Sequence, residues 1–179
     1  MRLLLAAVPM ALVATPALAQ TWIDCSKSPI TFSRPGNYTC YELPSGMDSH
    51  NLVLTRSGAV VGRTHDGVRL SLTTSRISSG DGYFHSWVVG KDADTRIKAF
   101  NQTTRSATNW SEMRRLDAST YTITFDAGAL HCAGFIQGAN STLGGYEFLT
   151  LGYFCPVPVT AALADSEATA LLSSIVLSH

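Results

Sequence analysis

The stretch from Leu130 to Cys155 reads LHCAGFIQGANSTLGGYEFLTLGYFC. Two largely apolar runs, near 131–137 and 146–154, flank the turn-rich segment GANSTLGG, and this pattern is typical of a β-hairpin. Cys132 and Cys155 fall near the open end of that hairpin, where one bridge joins both strands. We therefore predict a hairpin that is closed by a disulfide, rather than a reactive pair of thiols.

The first residues of the chain predict export. Arg2 supplies a positive charge, and Leu3–Val13 is an apolar run too short to span a bilayer. The run ends at residues 17–19 (ALA), a small-x-small cleavage motif. We predict a signal peptide at 1–19 and a single periplasmic or extracellular domain at 20–179. No later stretch approaches the ~18 consecutive apolar residues of a membrane helix, so no membrane span is expected.

All four cysteines lie in the predicted mature chain, and an even number in an exported protein favours disulfides over free thiols. The pairing with the shortest loops is Cys25 with Cys40 and Cys132 with Cys155, and each bridge would stabilise the fold by about 3 kcal/mol. Structural zinc sites usually hold their thiolates in much tighter pairs. The spacings Cys-x14-Cys and Cys-x22-Cys are therefore poor for zinc, and we predict no metal site and no cofactor.

Charge is divided unequally along the chain. Residues 20–115 carry 12 basic and eight acidic side chains, whereas residues 116–179 carry five acidic side chains and no Lys or Arg. The two parts are expected to attract one another in the fold or to present faces of opposite sign. The near-zero net charge of an exported chain makes nucleic acid a poor candidate partner.

The region 51–74 has the pattern of a three-stranded meander, with strands near 51–56, 59–64 and 68–74. Ser57-Gly58 and Asp66-Gly67 are its turn signals.

The next segment, YFHSWVVG, is apolar on both faces and predicts a central strand over 83–89 that is covered on both sides. A neighbouring strand is expected over 95–101.

Two helices are predicted. One lies near 107–116, where Trp110, Met113 and Leu116 recur with helical spacing. The other begins at a possible N-cap, Asp165, in the segment DSEATALLSSIVL and carries an apolar stripe. The elements together predict an α+β fold: one domain of mainly antiparallel β-sheet with a short mid-chain helix, a C-terminal helix and two disulfides.

The C-terminal part has a recognisable combination of features. It contains Cys132-x-x-Phe135, a Gly-rich turn, the segment LGYFCP at 151–156 and a short amphipathic helix. In this it resembles the C-terminal part of small exported bacterial proteins of unassigned function, over about residues 130–177. The resemblance implies no activity, and no catalytic residue is carried over from it.

Arginines recur through the predicted meander at four positions: Arg56, Arg63, Arg69 and Arg76. They could form a basic patch that binds an anionic envelope component or an acidic protein, but the pattern favours a structural role. The alternative interpretation is a solvated face of the sheet, where charged side chains prevent association between sheets.

Two further groups have both a functional and a structural interpretation. Three carboxylates near one end of the expected sheet could bind Ca²⁺, but no D-x-D-x-D-G loop is present and aspartate is common in turns: Asp81, Asp92 and Asp94. Three aromatic side chains of one strand face could stack sugars, but apolar neighbours favour a core strand: Tyr83, His85 and Trp87.

Catalytic motifs are lacking in the sequence. It contains no G-x-S-x-G elbow, no H-E-x-x-H motif and no phosphate-binding glycine loop, and bridged cysteines provide no nucleophile. The histidines at 50, 65, 85 and 131 are scattered. We therefore expect no catalytic residue and a non-catalytic binding or envelope-associated domain. The alternative is a small periplasmic hydrolase, with a site assembled only in the fold.

Overall fold

A computed structural model describes residues 20–44, 46–47, 53–77, 83–85, 89–105, 107–141, 143–156 and 164–178. These residues form twelve strands: β1 Thr21–Ile23, β2 Ile30–Phe32, β3 Gly36–Leu43, β4 Gly46–Met47, β5 Val53–Thr64, β6 Val68–Ile77, β7 Phe84–His85, β8 Arg114–Arg115, β9 Thr120–Ala127, β10 Leu130–Ser141, β11 Gly145–Pro156 and β12 Ile175–Leu177. The helices are α1, Ala93–Arg105, and α2, Asp165–Leu172, with a short 3₁₀ turn at Cys25–Lys27. The predicted fold class is confirmed. The predicted signal peptide, residues 1–19, lies outside the described residues.

Ten of the described strands form one antiparallel sheet. The order is β1-β3-β5-β6-β11-β10-β9-β8, with β4 beside β5 and β7 beside β11. The remaining two strands, β2 and β12, pair with each other in a small second sheet.

The central hairpin is formed by β10 and β11, as the sequence predicts. Ala133 lies opposite Phe154 in its register, and the Cys132–Cys155 bridge lies next to that pair, with a Cα–Cα distance of 4.3 Å. The second bridge joins Cys25 to Cys40. Both predicted disulfides are confirmed, and closed bridges are typical of an oxidising, exported environment.

Helix α1 covers one end of one face of the sheet. It contacts β9, β10 and β11 and buries Ile97 completely. Gly134 of β10 permits this close packing, because a Cβ there would lie 2.6 Å from Asn101 Nδ2 and 2.8 Å from Ile97 Cγ2.

The opposite face is covered by the small sheet and α2. Phe135 and Phe154 stack with their ring centroids 5.1 Å apart, and Phe32 of β2 packs on Phe154. Leu171 and Leu172 of α2 are buried in the same cluster. The main sheet therefore has an apolar layer on both sides at its centre.

The prediction of a turn at Ser57-Gly58 is wrong, because β5 runs without interruption through these residues. Gly58 is needed there for close packing: a Cβ would lie 2.4 Å from the Pro29 side chain. The region is consequently a two-stranded hairpin of β5 and β6, with its turn near Asp66-Gly67.

The predicted strand pair at 83–89 and 95–101 is also wrong. Within the first segment, the described strand is Phe84–His85, and residues 86–88 lie outside the described residues. The second segment belongs to α1, where Ala93, Ile97 and Asn101 are buried at four-residue spacing. That spacing fits a helix and not a strand.

The mid-chain helix is not at 107–116. This segment is extended: Thr108 pairs with Asp126, and Ser111 N–H donates to Thr124 O at 2.9 Å. Trp110 lies over Phe125 with a centroid distance of 5.0 Å. Pairing with β9 satisfies the backbone hydrogen bonds of the segment, and this outweighs its helical pattern.

The C-terminal helix is confirmed over Asp165–Leu172, but it is shorter than the apolar pattern indicates. Its N-cap is Ala164, whose backbone N–H donates to the Glu167 carboxylate at 3.3 Å. Beyond the helix, Ile175–Leu177 forms β12 beside β2.

Candidate functional site

The four predicted arginines fall into two cross-strand pairs. Arg63 lies opposite Arg69, and the backbone of Arg56 lies opposite Arg76. Pairing of β6 with β11 is regular from Val68 to Arg76, so Arg69 and Arg76, seven positions apart, lie on opposite faces. The structure therefore does not gather the four positions on one face of the sheet.

Arg76 is held within the fold. Its Nε donates to Glu147 Oε1 at 2.6 Å, and its guanidinium lies 5.3 Å from the Phe148 ring centroid. Both members of the ion pair are only about 30% exposed. This contact joins the basic and acidic parts of the chain, as does the Arg114–Asp165 pair at 2.8 Å.

Arg63 and Arg69, in contrast, are both exposed. Neither forms an ion pair with an acidic side chain of the described residues. Like charges directly opposite one another on a sheet are destabilising. The pair is therefore a concentration of positive charge that the described part of the protein does not neutralise.

Arg63 and Arg69 lie on the face of the main sheet that α1 covers in part. They belong to the part of that face that the helix leaves exposed. A cross-strand row leads from Gly134, beneath α1, through Tyr153 and Ser71 to Val61 and Thr39. We call the exposed end of this face the open face. It consists of Asn37, Thr39, Val61, Arg63, Arg69 and Ser71.

An aromatic edge borders the open face. Trp22 of β1 is 71% exposed and lies opposite Tyr41 of β3. Tyr41 shares its strand face with Thr39 and Asn37, because alternate residues of a strand point the same way. Beside this edge is a cavity of about 420 Å³, lined by Trp22, Ile23, Asp24, Cys25, Tyr38 and Cys40.

Asp24 places a fixed negative charge in the lining of this cavity. The Ser26 backbone N–H donates to its Oδ1 at 2.9 Å. This bond, together with the Ser26 side chain, holds the pKa of the Asp24 carboxyl below its ordinary value. The carboxylate therefore stays ionised at neutral pH.

A second cavity, of about 310 Å³, lies at the β5–β6 turn and is lined by Arg34, Pro35, His65 and Asp66. Arg34 is already engaged there. Its Nη1 lies 3.3 Å from Asp66 Oδ2, and its Nε donates to Ser174 Oγ at 3.3 Å. Because Asp66 neutralises this arginine, the cavity lacks the net positive charge of the open face.

One ordered group was not anticipated from the sequence. His131 Nδ1 lies 2.5 Å from Asp126 Oδ1, and Asn109 Nδ2 donates to Asp126 Oδ2 at 2.8 Å. A carboxylate only accepts hydrogen bonds, so Nδ1 is the donor in this contact, and in the neutral imidazole Nε2 is then an acceptor. The bonds from Asn109 and then His131 hold the pKa of Asp126 below its ordinary value.

The sequence carries a signal for this group. Gly128, with φ +63°, lies in the short turn between β9 and β10 and brings Asp126 opposite His131. A turn at Gly128-Ala129 pairs Ala127 with Leu130 and therefore Asp126 with His131, so the position of the glycine predicts this contact.

The other candidate residues are not brought together. Asp94 pairs with Lys98 at 2.9 Å, and Asp92 precedes α1. Asp81 and Trp87 lie outside the described residues, as does the His85 side chain. Among the described side chains, no group of three His, Cys, Asp or Glu residues is placed to hold a metal ion.

Comparison with known proteins gives no match to a family model, to a curated protein or to a solved structure. Of the helices in the described ranges, none has the length and hydropathy that crossing a membrane requires.

Proposed function

We propose that this chain is an exported, non-catalytic binding domain that binds an anionic component of the cell envelope through Arg63 and Arg69. The sequence predicts a cleaved signal peptide at 1–19, and the two disulfides support an oxidising, periplasmic or extracellular location. The proposal requires no cofactor, and it involves no nucleic acid.

The observation that carries the proposal is the exposed cross-strand pair of Arg63 and Arg69. The Cβ atoms of such a directly opposite pair are only about 5 Å apart, so the two positive side chains repel one another. A ligand anion between them replaces that repulsion with two charge-assisted hydrogen bonds, which arginine forms in a planar, bidentate geometry. Binding therefore relieves an unfavourable feature of the free protein.

The test is binding of the oxidised mature protein to immobilised hyaluronate, with neutral dextran as the reference polymer. The variant Arg63→Gln/Arg69→Gln is expected to lose at least about tenfold in affinity, because each charge-assisted bond contributes roughly 1.5 kcal/mol or more. Affinity of the unaltered protein should fall as salt is raised, since surface charges are screened.

Arg114→Gln/Arg115→Gln is the matched control. It also removes two positive charges, but from β8, where Arg114 pairs with Asp165 and Arg115 Nε donates to Asp117 O. Equal loss of hyaluronate binding in both variants would reduce the effect to net charge and contradict a specific role for Arg63 and Arg69.

A small hydrolase is the second candidate, and the ordered His131–Asp126–Asn109 group favours it. None of the described hydroxyl groups hydrogen-bonds His131, so water would be the nucleophile and Nε2 the base. Hydrolysis of p-nitrophenyl acetate that is abolished by His131→Gln would support this function. A rate that His131→Gln leaves unchanged would exclude His131 as the base.

A further inference from the structure

We infer that the anionic ligand is a polysaccharide. Trp22 and Tyr41 stack on one of its sugar rings, and Arg63 and Arg69 bind an acidic group farther along the same polysaccharide. This inference rests on the proposed function, because it assigns the chemical class of the ligand that Arg63 and Arg69 bind. It also extends the site from the open face to the edge of the sheet.

The exposure of Trp22 is the first observation. Tryptophan is usually largely buried, yet this side chain is 71% exposed on an edge strand of three residues. Tyr41 lies opposite it in the register, so the two aromatic side chains share a face. The negative ring faces of such side chains attract the weakly positive C–H groups of a sugar, and their area is apolar.

The spacing between the aromatic pair and the arginines is the second observation. Tyr41 is four residues from Asn37 along β3, and Asn37 lies opposite Arg63. With about 3.4 Å per residue and about 4.8 Å per strand, Trp22 lies on the order of 17 Å from Arg63. One sugar ring does not reach across this distance, so the ligand must be a chain.

The surface between these two ends is suited to sugar hydroxyls. Thr39 and Ser71 contribute hydroxyl groups to the open face, on either side of Val61. A hydroxyl both donates and accepts hydrogen bonds, so it matches the hydroxyls of a sugar in either direction. A ligand lying along this surface meets these hydroxyls beside the exposed apolar side chain of Val61.

Asp24 follows Trp22 closely in the chain and gives the aromatic end of the site a negative charge. Its ionised carboxylate lines the cavity that Trp22 also lines. It repels an acidic group and accepts hydrogen bonds from hydroxyls, whereas the arginines at the other end attract acidic groups. The site therefore matches a polysaccharide that places an acidic group at the arginine pair and a neutral sugar at the aromatic edge.

The test compares hyaluronate, in which acidic and neutral sugars alternate, with poly-glutamate, which carries acidic groups and no sugar. Trp22→Ala is expected to lower hyaluronate affinity at least about fivefold and to leave poly-glutamate affinity unchanged. Hyaluronate should also change the tryptophan fluorescence of the unaltered protein and of Trp110→Phe, the matched control. The fluorescence change should be absent in Trp22→Phe.

The outcomes separate this inference from the proposed function. If Arg63→Gln/Arg69→Gln loses affinity for both polymers while Trp22→Ala keeps its affinity for hyaluronate, the stacking site is wrong. The arginine site is then still supported. If Trp22→Ala loses affinity for both polymers equally, Trp22 does not act by recognising sugar, and the inference is overturned. If neither variant changes hyaluronate binding, the inference and the proposed function both fall. Thermal melting of each variant establishes that it is folded.

Discussion

Arg76 and Glu147 form an ion pair across β6 and β11, and through it the basic part of the chain is bound to the acidic part. Part of the unequal charge in the sequence therefore forms ion pairs that stabilise the fold. Among the arginines of the β5–β6 region, Arg76 is engaged by Glu147, whereas Arg63 and Arg69 are exposed.

Arg76→Gln is expected to lower the free energy of unfolding by about 1 kcal/mol, because it breaks a half-buried ion pair and the contact with the Phe148 ring. Urea denaturation measures this change. Arg69→Gln is the control on the same strand, and it should not lower the free energy of unfolding, because it removes only the repulsion with Arg63. Equal destabilisation by the two substitutions would contradict the assignment of Arg76 to the fold.

Loss of the Cys132–Cys155 bridge should destabilise the central hairpin without unfolding it. The bridge closes a loop with a sequence separation of 23, and cross-linking such a loop contributes about 3 kcal/mol in the chain-entropy model. The variant Cys132→Ser/Cys155→Ser should therefore melt at a lower temperature and keep its affinity for hyaluronate. Unchanged melting would show that the bridge does not act as a clamp.

The central hairpin could be predicted from the sequence because its signals are local. Cys132 and Cys155 flank two apolar runs and a turn-rich segment, and nothing distant is needed to interpret them. Gly58 misled the prediction for the opposite reason. Its role depends on Pro29, which is remote in sequence, and a glycine required for close packing looks the same as a turn glycine.

The candidate site was predictable only in part. The sequence predicts the turn at Asp66-Gly67, but a two-residue turn there would place Arg63 opposite Leu70; the observed pairing of Arg63 with Arg69 arises because the connection also includes His65. The proximity of Trp22 to Tyr41 depends on β1 pairing with β3, and no turn signal specifies that register. The helix α1 was missed because one of its buried positions is Asn101, which interrupts the apolar pattern.

The His131–Asp126–Asn109 group should make stability depend on pH in the acid range. The folded-state pKa of Asp126 is lowered from the ordinary value of 3.8, so its charge stabilises the folded state above that value. The stabilisation is lost as pH falls through the folded-state pKa. The difference in stability between the unaltered protein and Asp126→Asn should therefore narrow at acid pH.

The substitution Asn109→Gly tests directly whether the Asn109 hydrogen bond lowers the pKa of Asp126. Asn109 has φ 51°, a left-handed conformation that glycine adopts readily, so the substitution removes the amide donor with little backbone strain. NMR titration of the Asp126 carboxyl group should give a higher pKa in Asn109→Gly than in the unaltered protein. An unchanged pKa would mean that the Asn109 bond does not stabilise the carboxylate.

Mapping of the bound ligand by NMR tests the central claim most directly. Hyaluronate oligosaccharides added to ¹⁵N-labelled, oxidised mature protein should shift the backbone amide signals of the open face, above all those of Val61, Arg63, Arg69 and Ser71. The edge strand β8, with Arg114 and Arg115, should remain unaffected. Shifts centred on β8, or their absence from β5 and β6 at saturating ligand, would contradict binding through the Arg63–Arg69 pair.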